Sequence, residues 1–309
     1  SLAPEVISST YKKGLIVIDS TYPGQILHSL PKTLKNSVIV ISSKSGTTIE
    51  TISHLKLFVS LLENENLKAK DHLVIITDPG TELEKTAKSS GYRVINADPQ
   101  VGGRFSALSA FGLVPAALLG IDISVLLDDA EELSTSLNQA ESPAIILAAL
   151  LFSKTEQVFN LCEENSNCPG LSDWIEQLIA ESTGKDATGR LPIATEDVAR
   201  AGVGGSFTVA YAGTGADLVV EIERVARDPR GGHRSDGREA RREFLEVGRI
   251  ARLVAAGVVG RRAADLDVAP AEDAVGGVLG EAPVGPVGPD LALPETGILV
   301  DVAFTHHGK

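Results

Sequence analysis

A cluster of hydroxyl side chains carries the clearest chemistry in this chain. The segment Ser43-Lys44-Ser45-Gly46-Thr47-Thr48 combines four hydroxyls with a lysine and a glycine, between an apolar run and a helical pattern. Such a loop predicts an anion site, because the unpaired N–H groups and the dipole of a helix N-terminus favour a phosphate. Simple capping of the helix is the alternative. The segment lacks the G-x-x-x-x-G-K-[ST] spacing of a nucleotide-binding P-loop.

The elements that must position this loop follow from the hydrophobic periodicity. Short apolar runs predict strands at 15–18, 38–41, 73–76 and 92–95, and 3.6-residue spacing predicts helices at 24–30, 48–62 and 81–89. This alternation predicts an α/β fold, a parallel sheet with helices on both faces. Ligands of such sheets bind at the carboxyl ends of the strands, where residues 43–48 lie. Asp78-Pro79-Gly80 predicts a turn that caps the next helix.

Residues beyond Arg104 carry mostly helical patterns. They predict a helix at 105–119 interrupted by Pro115, amphipathic helices at 123–137 and 143–161, and a helix at 171–181 with Trp174 on its apolar side. Farther on, short patterns favour a strand at 207–212 and helices at 218–225 and 238–256. Residues 276–289, almost wholly Gly, Pro, Val, Ala and Leu, indicate a flexible stretch.

Two further segments complete a recognisable set. Gly102-Gly103-Arg104-Phe105-Ser106 places a permanently charged guanidinium after two glycines, and Glu181-Ser182-Thr183-Gly184-Lys185 has the form E-S-x-G-K. With the hydroxyl loop, these motifs resemble the glucose-6-phosphate isomerase (phosphoglucose isomerase) family, in its bacterial branch built from sugar-isomerase (SIS) domains. The resemblance covers about residues 1–190. It implies an SIS-type, flavodoxin-like sheet followed by helices. The composition shows a Gly/Arg/Ala-rich C-terminal region that is poorly recognisable.

The resemblance implies cofactor-free isomerisation of glucose 6-phosphate and fructose 6-phosphate through a cis-enediolate. Glu181 matches the catalytic base of the family, and Arg104 matches the residue that stabilises the enediolate charge. Glu50 and Gly103 match supporting positions. The residues that match phosphate-contacting positions are Ser43, Lys44, Ser45 and Thr48, with Thr47 beside them.

Other parts of the family pattern are missing. The ring-opening histidine is not found, since His233, His306 and His307 lack its flanking residues, and Lys309 does not match the late active-site lysine. The first glycine-rich phosphate turn is also absent, so we expect a fragment without its true N-terminus. Two alternatives therefore stay open: a non-catalytic sugar-phosphate-binding SIS module, and another SIS isomerase acting on an amino or pentose sugar phosphate.

Composition excludes several classes of protein. The net charge of −13 and the lack of a basic arm argue against nucleic-acid or anionic-membrane binding, and no apolar run has the length of a membrane span. Cys162 and Cys168 lack metal or redox spacing and are typical of reduced thiols in a cytoplasmic protein. No metal cluster or nucleotide fingerprint is present, so we expect neither a metal nor a cofactor. The resemblance implies a small sugar phosphate as partner. A homodimer is implied by the resemblance alone.

A sharp change of composition falls near residue 186. Of the 13 lysines only Lys309 follows it, whereas 13 of the 15 arginines do. We therefore predict three regions: a sugar-phosphate-binding domain at 1–120, a helical segment with the E-S-x-G-K motif at 121–190, and an atypical region at 191–309. The hypothesis for this last region is a foreign, frameshifted or disordered sequence.

Overall fold

The computed structural model describes residues 2–137, 139, 142–164, 166–185, 189–197, 206–210, 218–219 and 298–302. The chain divides into two units. The first contains Ala3–Ile121 together with the strand near the end of the chain, and the second contains the described residues from Asp122 to 219. The three predicted regions stay a prediction.

The first unit is built on a parallel sheet of five strands, in the order β1-β9-β2-β3-β4. The strands are β1 (Ile16–Val17), β2 (Val38–Ser42), β3 (Leu73–Thr77), β4 (Arg93–Asn96) and β9 (Ile298–Val302). The first four match the predicted apolar runs. The strand β9 was not predicted, and it pairs with β1 on one side and β2 on the other.

The helices of this unit are α1 (Leu2–Thr10), α2 (Pro23–Ser29), α3 (Ile49–Asn64), α4 (Ala69–His72), α5 (Glu82–Ser89) and α6 (Ala110–Leu118). On one face of the sheet, Ile39, Ile41 and Ile75 pack with residues of α3 and α5, including Phe58, which is fully buried. On the other face, Val40, Val74 and Ile76 pack with Phe111 and Val114 of α6. Helices thus cover both faces, which confirms the predicted α/β architecture.

The predicted helix at 105–119 is wrong in one respect. The chain forms a 3₁₀ helix at Gly103–Leu108, and α6 then begins after Ser109. The break comes from Ser109, whose hydroxyl accepts a hydrogen bond from the N–H of Phe111 and caps α6. Pro115 lies inside α6 and does not end it.

The second unit contains a parallel sheet of four strands, in the order β6-β5-β7-β8. Its elements are α7 (Ile123–Ser136), α8 (Pro143–Ser153), β5 (Val158–Cys162), α9 (Leu171–Thr183), β6 (Leu191–Thr195), β7 (Ser206–Ala210) and β8 (Leu218–Val219). The core of this unit includes Trp174 of α9, as predicted, with Phe159 and Phe207 packed edge to face.

Two predictions fail in this unit. The helix expected over 143–161 stops at Ser153, and residues 158–162 form the central strand β5. Leu218 and Val219 form β8, where a helix was predicted. The predicted helix at 238–256, the flexible stretch at 276–289, the three downstream histidines and Lys309 lie outside the described residues. No helix in the described part of the chain has the length and apolar character that crossing a membrane requires.

Candidate functional site: a hydroxyl loop at the carboxyl edge of the first sheet

Three loops of the first unit meet where the parallel strands end. Residues 43–48 follow β2, residues 78–81 follow β3, and residues 97–102 follow β4 and lead into the 3₁₀ helix of Arg104. Because β2, β3 and β4 are parallel neighbours, all three loops leave the same edge of the sheet. Ligands bind at this edge in folds of this kind.

The hydroxyl of Ser43 organises the first loop. It accepts a hydrogen bond from the N–H of Gly46 at 3.1 Å and lies 3.1 Å from the Thr48 hydroxyl. Both Ser43 and Thr48 are buried. The backbone N–H of Ser43 donates to the carbonyl of Ile76 in β3, which holds the loop against the neighbouring strand. These two hydroxyls therefore shape the loop from within.

Ser45 and Thr47 form a second, more accessible pair. The N–H and the hydroxyl of Thr47 both donate to the Ser45 hydroxyl, at 3.2 and 3.0 Å. Thr47 is exposed and Ser45 is half-buried. The loop thus has two buried hydroxyls that fix its shape and two at its surface that can meet a ligand.

Gly46 is required for two independent reasons. Its φ is +66°, a conformation that costs other L-residues energy. A Cβ placed on it would lie 2.8 Å from Cβ of Thr81 and 3.0 Å from Cβ of Leu83. The loop therefore packs directly on the start of α5.

The N-cap residue of α3 does not cap the helix with its own side chain. Thr48 occupies the N-cap position, but its hydroxyl contacts Ser43 and makes no capping bond to the helix. Glu50 lies half-buried in the first turn. The capping alternative therefore does not hold for Thr48, and the first turn of α3 has the donor character that favours an anion.

The side chain of Lys44 points into the protein. Its ammonium donates to Oδ2 of Asp78 at 2.6 Å and to the carbonyls of Asp98 and Pro99, both at 3.2 Å. The N–H of Asp78 donates in turn to the Lys44 carbonyl. One lysine therefore contacts the loops that follow β3 and β4.

The turn that carries Asp78 is braced by a carboxylate of α5. Glu84 accepts hydrogen bonds from Lys88 and from the N–H of Gly80. The bond from Lys88, followed by those from Gly80 and the Asn96 side chain, lowers the Glu84 pKa from 4.5 to about 2. The helix cap itself is Thr81, whose hydroxyl accepts from the N–H of Glu84. The prediction that Asp78-Pro79-Gly80 caps this helix was therefore wrong by one residue.

Arg104 lies in the first turn of the 3₁₀ helix and is half-buried. Its guanidinium carbon is 5.6 Å from the centre of the Phe105 ring, a distance typical of a cation–π contact. The hydroxyl of Ser106 donates to the carbonyl of Gly103 at 2.6 Å and stabilises this turn. The 3₁₀ helix that carries Arg104 thus begins directly after the loop that Lys44 contacts.

Glu181 belongs to the second unit, in the last turn of α9. Its carboxylate is half-buried and accepts a hydrogen bond from the Gln177 amide at 3.1 Å. The helix ends at Gly184, where a Cβ would lie 2.5 Å from the carbonyl oxygen of Ala180. The glycine of the E-S-x-G-K motif is therefore needed for the close approach of the backbone that ends α9.

Of the residues predicted from sequence, the hydroxyl loop and Arg104 lie in the first unit and Glu181 in the second. Sequence reasoning missed Asp78 as the partner of Lys44. Its position directly after β3, one strand from the hydroxyl loop, was the available signal. Among the described residues, no group of three or more His, Cys, Asp or Glu side chains could hold a metal ion.

Comparison with known proteins places these motifs in a family. A family model for phosphoglucose isomerase matches residues 9–208, which include the hydroxyl loop, Arg104 and Glu181. The chain belongs to the phosphoglucose isomerase family. The match to phosphoglucose isomerases begins at residue 9 and ends somewhat beyond the limit of about 190 that the motifs suggested.

Curated relatives are similar over part of their length. A probable glucose-6-phosphate isomerase of Methanococcus maripaludis is 31% identical over 166 residues, which are 52% of this chain and 38% of that protein. One of Haloquadratum walsbyi is 35% identical over 190 residues, or 57% of this chain and 43% of the relative. The chain thus spans less than half the length of these relatives.

A solved glucose-6-phosphate isomerase of Chlamydia trachomatis has a similar fold. The TM-score is 0.60 at 15% identity, over 90% of this chain and 66% of the other. This likeness concerns the fold and agrees with the parallel α/β architecture of this chain.

Proposed function

We propose that this chain takes part in the interconversion of glucose 6-phosphate and fructose 6-phosphate. The observation that carries the proposal is the hydroxyl loop, which places Ser45 and Thr47 before the first turn of α3, a helix whose N-cap residue makes no capping bond with its side chain. A phosphate monoester is an anion that such a helix N-terminus binds well. The probable glucose-6-phosphate isomerases of similar sequence support the same choice of substrate.

The proposed chemistry is a proton transfer within an open-chain sugar. A base removes the proton from C2 of the aldose, and the electron pair of that bond forms the C1–C2 double bond of the enediolate while the carbonyl electrons move to O1. The hydroxyl proton of O2 passes to O1, and the base returns its proton to C1, so that C2 becomes the carbonyl carbon of the ketose. We assign the base to Glu181, whose carboxylate can take and return a proton. We assign stabilisation of the enediolate charge to Arg104, because a guanidinium remains protonated throughout.

The phosphate is assigned to the loop formed by Ser43, Lys44, Ser45, Thr47 and Thr48, with Glu50 and Gly103 in support. Ser45 and Thr47 would contact it by their hydroxyls, while Ser43 and Thr48 keep the loop in shape. The reaction so written consumes no oxidant or cofactor. A homodimer and a cytoplasmic location are part of the proposal by family membership alone.

The test is a titration of the purified chain with fructose 6-phosphate, followed by calorimetry, with glucose 6-phosphate measured in the same samples. Binding with turnover supports the isomerase. Binding without turnover supports the second candidate, a sugar-phosphate-binding module, which needs the hydroxyl loop and no catalytic base. Absence of binding contradicts both.

The variant Glu181→Gln tests the assignment of the base. It should abolish turnover and leave the affinity for fructose 6-phosphate nearly unchanged, because the phosphate loop is untouched. Asp173→Asn, an exposed carboxylate in the first turn of the same helix, is the matched control and should retain turnover. Retained turnover in Glu181→Gln would show that another group is the base.

A further inference from the structure

The Lys44 ammonium has used all its donors inside the protein. A lysine ammonium carries three N–H groups. Three acceptors surround this one: Oδ2 of Asp78 and the carbonyls of Asp98 and Pro99. A phosphate in the hydroxyl loop would have to displace one of them to gain a contact with this side chain.

The positive charge of Lys44 is balanced by the Asp78 carboxylate, with which it forms an ion pair. The side chains of Lys44 and Asp78 are 24% and 15% exposed, so the ion pair is partly shielded from water. The second carboxylate oxygen, Oδ1 of Asp78, is buried and accepts no hydrogen bond from the described residues. Lys44 is therefore the cation that compensates this carboxylate, and separating the two would leave a poorly solvated charge.

The contacts of Lys44 join segments that the proposed function uses separately. Its backbone belongs to the phosphate loop, its partner Asp78 belongs to the turn after β3, and its two carbonyl acceptors belong to the loop that leads to Arg104. A backbone hydrogen bond from the Asp78 N–H to the Lys44 carbonyl also joins the phosphate loop to the turn after β3. The side chain thus contacts the turn after β3 and the loop after β4, while its backbone belongs to the phosphate loop.

We propose that Lys44 and Asp78 are positioning residues, which hold the phosphate loop in register with the Arg104 loop, and that the Lys44 ammonium does not contact the phosphate. The inference rests on the proposed function for its ligand. It changes the role of Lys44 from a source of positive charge for the substrate to an internal tie between two loops.

Calorimetry with fructose 6-phosphate and with inorganic phosphate separates the two roles. If the ammonium were a phosphate ligand, Asp78→Asn would free it and remove a nearby negative charge, so affinity would rise. If Asp78 is a positioning residue, it holds Lys44 and with it the phosphate loop in place. Asp78→Asn should then weaken fructose 6-phosphate binding about tenfold, or by about 1.4 kcal/mol. Lys44→Met should weaken it similarly, and the double variant should be no weaker than the worse single variant because the residues act as one unit.

Matched controls come from an exposed ion pair of the same unit. Lys85 and Glu82 on α5 are 63% and 75% exposed, so Lys85→Met and Glu82→Gln make the same changes of charge in a pair that is open to solvent. They should leave both affinities unchanged. A higher affinity in Asp78→Asn overturns the proposal, and so does an unchanged affinity in folded Lys44→Met.

Hydrogen exchange without ligand tests the tie itself, independently of the proposed function. Lys44→Met should speed exchange of the backbone amides in both 44–48 and 97–104, whereas Lys85→Met should not. Faster exchange in both loops supports the tie even if the wild-type chain binds no fructose 6-phosphate, a result that would contradict only the proposed function. Unchanged exchange in 97–104 overturns the tie.

Discussion

Individual residues of the hydroxyl loop divide into those that shape it and those that face a ligand. Ser43, Gly46 and Thr48 are buried and contact one another, while Ser45 and Thr47 lie nearer the surface. The motif was recognisable from sequence because hydroxyl residues and glycine stood between a strand and a helix. The division of roles was not, because it depends on which hydroxyl faces inward in the folded chain.

Replacing Gly46 by alanine should both destabilise the first unit and impair anion binding. The positive φ alone costs about 1–2 kcal/mol, and the added methyl would press on Thr81 and Leu83. Urea unfolding should show the loss of stability, and calorimetry with inorganic phosphate should show a loss of affinity, because the loop must move away from α5.

The control for this variant is Gly91→Ala. Gly91 also has a positive φ, of +73°, but a Cβ there meets nothing within 4 Å. It should show the backbone strain without the loss of affinity. Equal phosphate affinity in Gly46→Ala and the wild type would mean that the loop shape does not matter for the anion.

At the scale of elements, the sequence predicted a helix or a strand correctly where its apolar residues had a clear period and turn residues marked the ends of the run. The strands β2, β3 and β4 are short apolar runs between turns, and α3 and α5 have regular apolar spacing. The strand β5 was missed because its apolar run follows the apolar helix α8 after only four residues, and a short apolar run alone does not distinguish helix from strand. The strand β9 was missed because its partners lie more than 250 residues away in sequence.

The turn between β3 and α5 should respond to acid through Glu84. Its pKa is lowered from 4.5 to about 2, so its contribution to stability is present above pH 4.5 and is lost as the pH falls toward 2. The stability difference between the wild type and Glu84→Gln should therefore be constant near neutral pH and shrink over that window. Urea unfolding at a series of pH values measures it.

Lys88→Met tests the cause of this pH dependence. The hydrogen bond from Lys88 is the largest contribution to the lowered pKa of Glu84. Removing it should raise that pKa and move the loss of stability to higher pH. If the free energies of unfolding of the wild type and Glu84→Gln differ by the same amount at pH 6 and at pH 2.5, the ionised carboxylate does not stabilise the turn.

The first unit as a whole depends on residues from both ends of the chain. Strand β9, at residues 298–302, lies between β1 and β2 and continues the parallel sheet, although the composition near it had suggested a foreign segment. Five residues of β9 pair with β2, from Val38 opposite Ile298 to Ser42 opposite Val302. Ser42 directly precedes the hydroxyl loop, so β9 supports the strand from which the loop begins.

Removing β9 should therefore weaken both the sheet and the site. A chain ending at residue 297 would leave β2 with one neighbour and expose unpaired backbone groups along its edge. With about 0.5–1.5 kcal/mol for each hydrogen bond, the loss of unfolding free energy should be on the order of a few kcal/mol, accompanied by weaker fructose 6-phosphate binding. A synthetic peptide of residues 298–309 added in trans should restore part of both, whereas a scrambled peptide should not. Since β9 pairs with all five residues of β2, its support of the loop requires both quantities to fall in the shortened chain. An unchanged free energy of unfolding together with an unchanged affinity for fructose 6-phosphate would show that β9 does not support the loop.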